Sequence, residues 1–286
     1  MKAVLAGAFG HLGSDILRKL MEDGHDVVAF GRSIREIENC KQGYKAVKAD
    51  VCDKDSLQGI CDNADVVIST VGLVKPSAEI SCYDVDLKGN LNLLEEAVIA
   101  GVKHFSYVSV LRSDEDKNVP LLNAKYEFEK ELKKSGISWS IIRPGGYFYD
   151  TARVFMPMVE KGTVTLLGKE NVSANVVDTT DLASFIVEHM CDDNKMYDVG
   201  GKETNTYEEI AKMFFEAAGK EPVIKRAPIW LFDMLAWINK CKGNGKDSVI
   251  RFSKFVLTHN MVGDHIAGDK SFAEYIKDCY AGNETP

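Results

Sequence analysis

The sequence is short of several features that would fix a function early. Its 286 residues contain no block of several consecutive lysines and arginines, and 43 acidic against 35 basic side chains leave a net charge of −8. That balance works against non-specific attraction to nucleic acid or to an anionic membrane surface, so neither is an expected partner. There is no Cys-x-x-Cys pair: Cys40, Cys52, Cys61, Cys82, Cys191, Cys241 and Cys279 are scattered and odd in number. Such spacing supports neither a zinc site nor a disulfide framework, and the set reads as reduced, mostly semi-buried thiols. The six histidines include no His-x-x-x-His pair, and no metal is expected. Long hydrophobic runs are missing too. The most apolar stretch, Pro228 to Ile238, carries Asp233 and is far too short to span a bilayer. It reads as a buried or interfacial helix. The opening MKAVLAGAFG is broken by glycines and His11 too soon for a secretory signal and reads as a first β-strand. A cytoplasmic location is expected.

What is present is a chain 45% hydrophobic, enough for a large core. Up to about residue 145, short β-branched runs alternate with amphipathic segments, the rhythm of a parallel, doubly wound sheet. Strands are expected at Lys2–Ala6, Asp26–Phe30, Tyr44–Lys48, Val66–Thr70, His104–Val108 and Ser138–Ile142. Helices are expected at Leu12–Glu22, Asp84–Ala100 and Leu122–Lys134, with Gly24, Gly101 and Gly136 placed as C-terminal caps. Beyond Gly145 the expectation is short strands at Thr163–Leu167, Ala174–Val177 and Met196–Val199. Helices should follow at Asp181–Met190, Tyr207–Ala218, Ile229–Ile238, Ser248–Asn260 and Ser271–Tyr280. Thr206 and Glu209 form a capping-box pattern. No internal repeat or low-complexity linker separates the halves. The expected organisation is α/β: a Rossmann domain over 1–145 and a smaller C-terminal α/β substrate lobe over 146–286, from which strands of the main sheet can return.

The motif with the most chemistry is Gly7-Ala-Phe9-Gly10-His11-Leu12-Gly13. It follows an apolar strand and opens a helix, the context in which glycines let the backbone approach a pyrophosphate stabilised by the helix N-terminus. The expected ligand is a nicotinamide dinucleotide. An acidic residue at the end of the second strand would select NAD(H), but Asp26 lies at the wrong end. The correct end reads Gly31-Arg32-Ser33, where a guanidinium fork and a hydroxyl suit a 2′-phosphate. NADP(H) is favoured over NAD(H), the competing reading of Arg32 being a solvated charge or a group stacked on adenine. Asp50 and Val51 end the third strand and Thr70, Val71 and Gly72 the fourth, all on the ligand edge. Asp50 is placed either to accept from the adenine amino group or to cap the segment Cys52–Ser56.

These residues together resemble the atypical, extended-like short-chain dehydrogenase/reductase superfamily, especially its NmrA-like and epimerase-like branches. Further matching pieces are Asp86-Leu-Lys-Gly-Asn90, Leu93-Leu-Glu-Glu-Ala97, Gly101 to Ser109, Ile142-Arg-Pro144-Gly145-Gly146, Asp181-Leu-Ala183 and Tyr197-Asp-Val-Gly-Gly201. The resemblance covers nearly the whole chain. It implies a cofactor cleft that includes Lys125, Pro144 and Gly145, with the second lobe on the substrate side.

In most of that superfamily a Ser, a Tyr and a Lys four residues after the Tyr carry the reaction. Tyr supplies the proton, Lys lowers its pKa, and Ser polarises the carbonyl. Ser109 and Lys125 fit two of these positions, but the third is Leu121, which has no proton to give. Tyr126 is adjacent to Lys125 and points about 100° away. Three readings stay open: Lys125 is itself the acid/base, as in isoflavone-reductase-like relatives; Tyr147 or Tyr149 supplies the proton; or the domain binds NADP(H) without turnover. Against the first stands a plain alternative, in which Lys125 belongs to a solvated face with Glu127, Glu129, Lys130 and Glu131.

The functions that follow are an NADP(H)-dependent reductase of a small carbonyl or conjugated substrate, a non-catalytic redox sensor or assembly factor of NmrA-like type, and a nucleotide-sugar epimerase or dehydratase. The charge density of Leu122–Lys134 disfavours helix pairing between copies, so a monomer is expected over a homodimer.

Overall fold

A computed structural model describes residues 1–35, 37, 43–73, 75–168 and 171–284; Cys40 lies outside them. In chain order the elements are β1 (Lys2–Ala6), α1 (His11–Glu22), β2 (Asp26–Gly31), β3 (Lys45–Lys48), β4 (Val66–Ser69), α2 (Asn90–Ile99), β5 (His104–Val108), α3 (Pro120–Lys134), β6 (Ser138–Pro144) and α4 (Phe148–Glu160). They continue as β7 (Val164–Leu167), β8 (Ser173–Ala174), α5 (Thr179–His189), β9 (Lys195–Gly200), β10 (Asn205–Thr206), α6 (Tyr207–Ala217), β11 (Ile224–Ala227), α7 (Ile229–Cys241), α8 (Lys246–Thr258), β12 (His265–Ile266) and α9 (Phe272–Ala281).

Among the described residues eight strands form one sheet in the order β12-β9-β6-β5-β4-β1-β2-β3. Every pairing in it is parallel. β1, β4 and β5 are buried almost throughout, because helices cover both faces and leave no solvated side to alternate towards. Two apolar layers result. One holds α1 and α5 against the sheet around Leu5, Ile16, Leu17 and Ile186; the other packs α2 and α3 on the opposite face around Leu93, Phe105, Tyr107 and Phe128. The direction of winding reverses between β1 and β4, and in such sheets ligands bind at the carboxyl ends beside that reversal.

The chain after Gly145 contributes β9 and β12 to this sheet and builds a third apolar cluster from α4, α6 and α9, around Phe148, Phe155, Phe214 and Phe272. The capping box of α6 forms as expected, Thr206 and Glu209 bonding reciprocally. Three expectations need correcting. Residues 174–177 are not a continuous four-residue strand: Ser173–Ala174 pairs with β10, and Val177 makes an isolated bridge to Tyr147. The segment Asp84–Ala100 is not one regular helix, because Tyr83–Gly89 is a π-helical turn continued by α2. Finally, of the two readings of the run Pro228–Ile238, buried or interfacial, the buried one does not hold. Of α7 only Ala236 is buried, since the helix packs chiefly on α8 and leaves its far side to solvent.

Candidate functional site

The site begins where β1 ends. Gly7 and Ala8 donate their N–H groups to Phe30 O at 3.1 and 3.2 Å, which folds the glycine-rich turn onto the end of β2. Gly7 holds φ +76°, and a Cβ there would stand 2.6 Å from Thr70 Oγ1. A Cβ on Gly13 would stand 2.1 Å from Gly7 O, closer than atoms approach. Both positions therefore admit glycine alone. Gly10, the N-cap of α1, brings no capping side chain to the first turn of the helix. Uncapped amides at the positive end of a helix dipole, reached over a surface without side chains, fit a pyrophosphate.

The flanking residues sort by what they present. Phe9 and Leu12 are core side chains, Phe9 lying against Gly31, so only their backbones face the turn. His11 is exposed, and its ring stacks on Tyr149 with centroids 3.9 Å apart, while Tyr149 stacks in turn on Tyr147 at 5.7 Å. This aromatic stack from the start of α4 ties the second lobe to the glycine-rich turn. Arg32 and Ser33 are exposed just beyond the end of β2. Asp50 uses Oδ1 to accept the Cys52 N–H at 2.9 Å, closing the turn that was its alternative role. Val51 is buried and packs where Gly89 leaves room for it. Thr70 donates its hydroxyl to Ala6 O at 3.0 Å. Pro144 and Gly145 are buried at the end of β6, Gly145 donating its N–H to Val199 O beneath Met261.

Lys125 is not on a solvated face. It is 9% exposed, and its Nζ lies 3.3 Å from Asp86 Oδ1, 3.3 Å from Val108 O and 3.5 Å from the Tyr107 hydroxyl. Asp86 is fully buried in the π-helical turn and accepts the Leu73 N–H through Oδ2 at 3.0 Å. Burial pushes its carboxyl pKa up, against the pull of the Lys125 ammonium and the Leu73 N–H. This pair lies directly under Gly72, where a Cβ would stand 3.1 Å from Asp86 Oδ1 and 3.5 Å from Lys125 Nζ. The Lys125 side chain thus sits at the carboxyl end of β4, held by the Asp86 carboxyl.

Ser109 is committed elsewhere. Its hydroxyl donates to Glu129 Oε1 at 2.5 Å, and Ser113 donates to the same oxygen at 2.9 Å. Arg143 closes the group, with Nε at 3.0 Å from Oε1 and a terminal nitrogen at 2.5 Å from Oε2. Glu129 is fully buried. A serine proton held by that carboxylate is not available to polarise a carbonyl. The tyrosines fare no better as acids. Burial raises the Tyr147 phenol pKa, and Tyr149 and Asp150 add to the effect; burial and Asp150 raise Tyr149 likewise. A general acid works best with a pKa near the operating pH, and these move away from it.

Sequence reasoning missed three residues here. Asp86 lies in the Asp86–Asn90 motif, which assigns it no role, and Glu129 reads as one of the surface charges of its helix. Glu129 is four residues after Lys125 and so shares its inward face, a signal that was readable. Tyr107, buried against Phe128, had no such signal.

Residues 7–193 match the family described as NAD(P)H-binding. Over 234 residues the chain is 28% identical to the photosystem II assembly factor Ycf39 of Synechocystis, covering 80% of this chain and 71% of that protein. Its fold is shared with a nucleoside-diphosphate-sugar epimerase of Staphylococcus aureus, at TM-score 0.75 and 16% identity over 100% of this chain and 97% of that one. It is shared equally with an NADPH-dependent quinone oxidoreductase of Escherichia coli complexed with NADPH, at TM-score 0.73 and 20% identity over 98% and 100%. At those identities the two structures speak for the fold alone: a Rossmann architecture of the kind an epimerase and a quinone oxidoreductase share.

Proposed function

The chain belongs to the NAD(P)H-binding family, and on that premise we propose that it is an NADP(H)-binding protein of the sensor or assembly-factor type, acting through the bound dinucleotide and not through carbonyl turnover. One observation carries this reading: Leu121 stands where a tyrosine acid belongs, and the Ser109 proton is given to Glu129. The assembly-factor name of the Synechocystis relative supports it. In the test, purified protein is titrated with NADPH and NADH by fluorescence, then mixed with carbonyls, enones and quinones while dihydronicotinamide absorbance is followed. The expected result is saturable NADPH binding with no oxidation above the buffer rate.

A second reading has its own support. The Lys125 ammonium lies under Gly72, where positive charge would stabilise the anion formed by hydride addition to a conjugated acceptor, a reaction that can take its proton from water. Steady oxidation of NADPH by an enone or quinone, lost in Lys125→Met, would replace the first reading by this one.

The cofactor preference rests on Arg32 at the end of β2. Arg32→Ala is expected to weaken NADPH binding by roughly tenfold, the value of one charge-assisted contact, and to leave NADH within about twofold. An unchanged ratio of the two affinities would remove Arg32 from the 2′-phosphate site.

A further inference from the structure

The least satisfied surface of the molecule is the outer side of α7. Trp230 is 62% exposed and Trp237 64% exposed, and Met234 between them is exposed as well. Their spacing of four and three residues sets all three on one helix face. Ile229, Leu235 and Val249 extend the exposed apolar area along the α7–α8 hairpin. A soluble monomer seldom leaves so large an apolar group uncovered without a use for it.

Charge says what covers it. From Ile224 to Thr258 there are seven lysines and arginines against two aspartates, a local charge of +5 in a chain whose total is −8. Arg226, Arg251 and Lys254 are engaged by Glu208, Asp247 and Asp233. Lys240, Lys242 and Lys246 are all exposed, with no ion-pair partner among the described residues, and they gather where α7 turns into α8. The whole-chain charge conceals this cationic pole.

Tryptophans on one helix face with lysines at its end match the water–hydrocarbon boundary of an anionic bilayer: indole rings favour the headgroup level, and ammonium groups reach the phosphates. No helix among the described residues is long and apolar enough to cross a membrane, so the hairpin would lie on the surface. We infer that the α7–α8 hairpin docks the protein on an anionic lipid surface. Gly245, in the hairpin turn, packs against Pro76 and Ser77 of the loop that follows β4. Docking therefore brings the ligand edge of the sheet alongside the bilayer.

The test is flotation of the full chain with protein-free vesicles of phosphatidylglycerol and phosphatidylcholine, compared with phosphatidylcholine alone. The tryptophan emission maximum is followed in parallel. Binding is expected to the anionic vesicles only, with a blue shift, and to weaken as salt rises. Lys240→Glu/Lys242→Glu/Lys246→Glu is expected to lower the partition coefficient by on the order of 100-fold. Trp230→Ala/Trp237→Ala is expected to abolish the blue shift while leaving the melting temperature unchanged, because both side chains stand in solvent. Equal binding to both vesicle types, or none to either, would overturn the inference. So would a dimer in solution that the tryptophan variant dissociates, or attachment only to membranes that retain their proteins; these outcomes would assign the face to a second copy or to a protein partner.

Discussion

Glu129→Leu is expected to lower stability by about 3–5 kcal/mol and the melting midpoint by roughly 10 °C. The glutamate is fully buried, and three side chains depend on it. Arg143 is itself only 5% exposed. Burial works to lower its guanidinium pKa, and the hydrogen bonds and charge of Glu129 outweigh that effect and raise it. With Glu129 gone, Arg143 keeps Asp114 at 3.4 Å, an aspartate on the surface side, and the charge of Asp198 on β9, while Ser109 and Ser113 lose their common acceptor. A buried charge left without its partner costs more than the pair contributes, because the desolvation penalty stays after the compensation is removed. The companion Glu129→Leu/Arg143→Leu should therefore recover part of the loss. Urea denaturation of wild type, both single variants and the double variant closes the cycle. If the double variant loses the sum of the two single losses, the pair is uncoupled and this account of the cluster fails.

That cluster also shows where sequence reading reaches its limit. Position in a helix pattern is legible from spacing, and so are strands whose residues are apolar for burial on both faces. β1 and β5 fall where their β-branched and aromatic runs predict, and the glycines expected to end α1, α2 and α3 take positive φ of 77, 71 and 84°. What spacing does not reveal is which charges on a helix turn inward. On α3, Glu127, Glu131 and Lys134 meet solvent and pair among their own neighbours, whereas Lys125 and Glu129 point to the sheet and find Asp86 and Arg143 on other elements. The partners are 39 and 14 residues away in sequence, so only the assembled sheet brings them together. α4 was missed for a different reason. It carries Pro157 inside and starts one residue after Gly145-Gly146, signals that normally argue against a helix. It survives because Phe148, Phe155 and Val159 anchor one face in the third apolar cluster.

The π-helical turn is the other departure, and it bears on the site. One extra residue per turn carries Asp86 inward to Lys125 and leaves Asn90 to receive the Ser69 hydroxyl at 2.6 Å and to donate to Asp86 O at 2.9 Å. A regular helix over Asp84–Ala100 would rotate Asp86 away from this position. Such turns recur at functional sites because they trade helix regularity for the placement of one side chain. Here that placement sets the Asp86 carboxyl beside the Lys125 side chain under Gly72.

The largest effect on ligand binding is expected from Gly13→Ala, with at least a 100-fold loss of NADPH affinity, about 2.7 kcal/mol. The added methyl would stand 2.1 Å from Gly7 O and 2.9 Å from the carbonyl carbon of that residue, both backbone atoms that no side-chain rotation can clear. The turn must open, which would draw the first amides of α1 away from the pyrophosphate proposed to bind there. Two further variants separate this from general damage. At Gly10, with φ −76°, a Cβ comes no nearer than 3.2 Å to Gly7 O, so Gly10→Ala should lose roughly tenfold or less. At Gly24 a Cβ meets nothing within 4 Å, but φ is +77°, so Gly24→Ala should cost about 1 kcal/mol of stability and leave NADPH affinity unchanged. Fluorescence titration gives the affinities, and a thermal melt of each apo protein gives the stabilities. If affinity follows melting temperature across the three variants, the glycines only support the fold; if it follows closeness to Gly7 O, the turn between β1 and α1 is the pyrophosphate cradle.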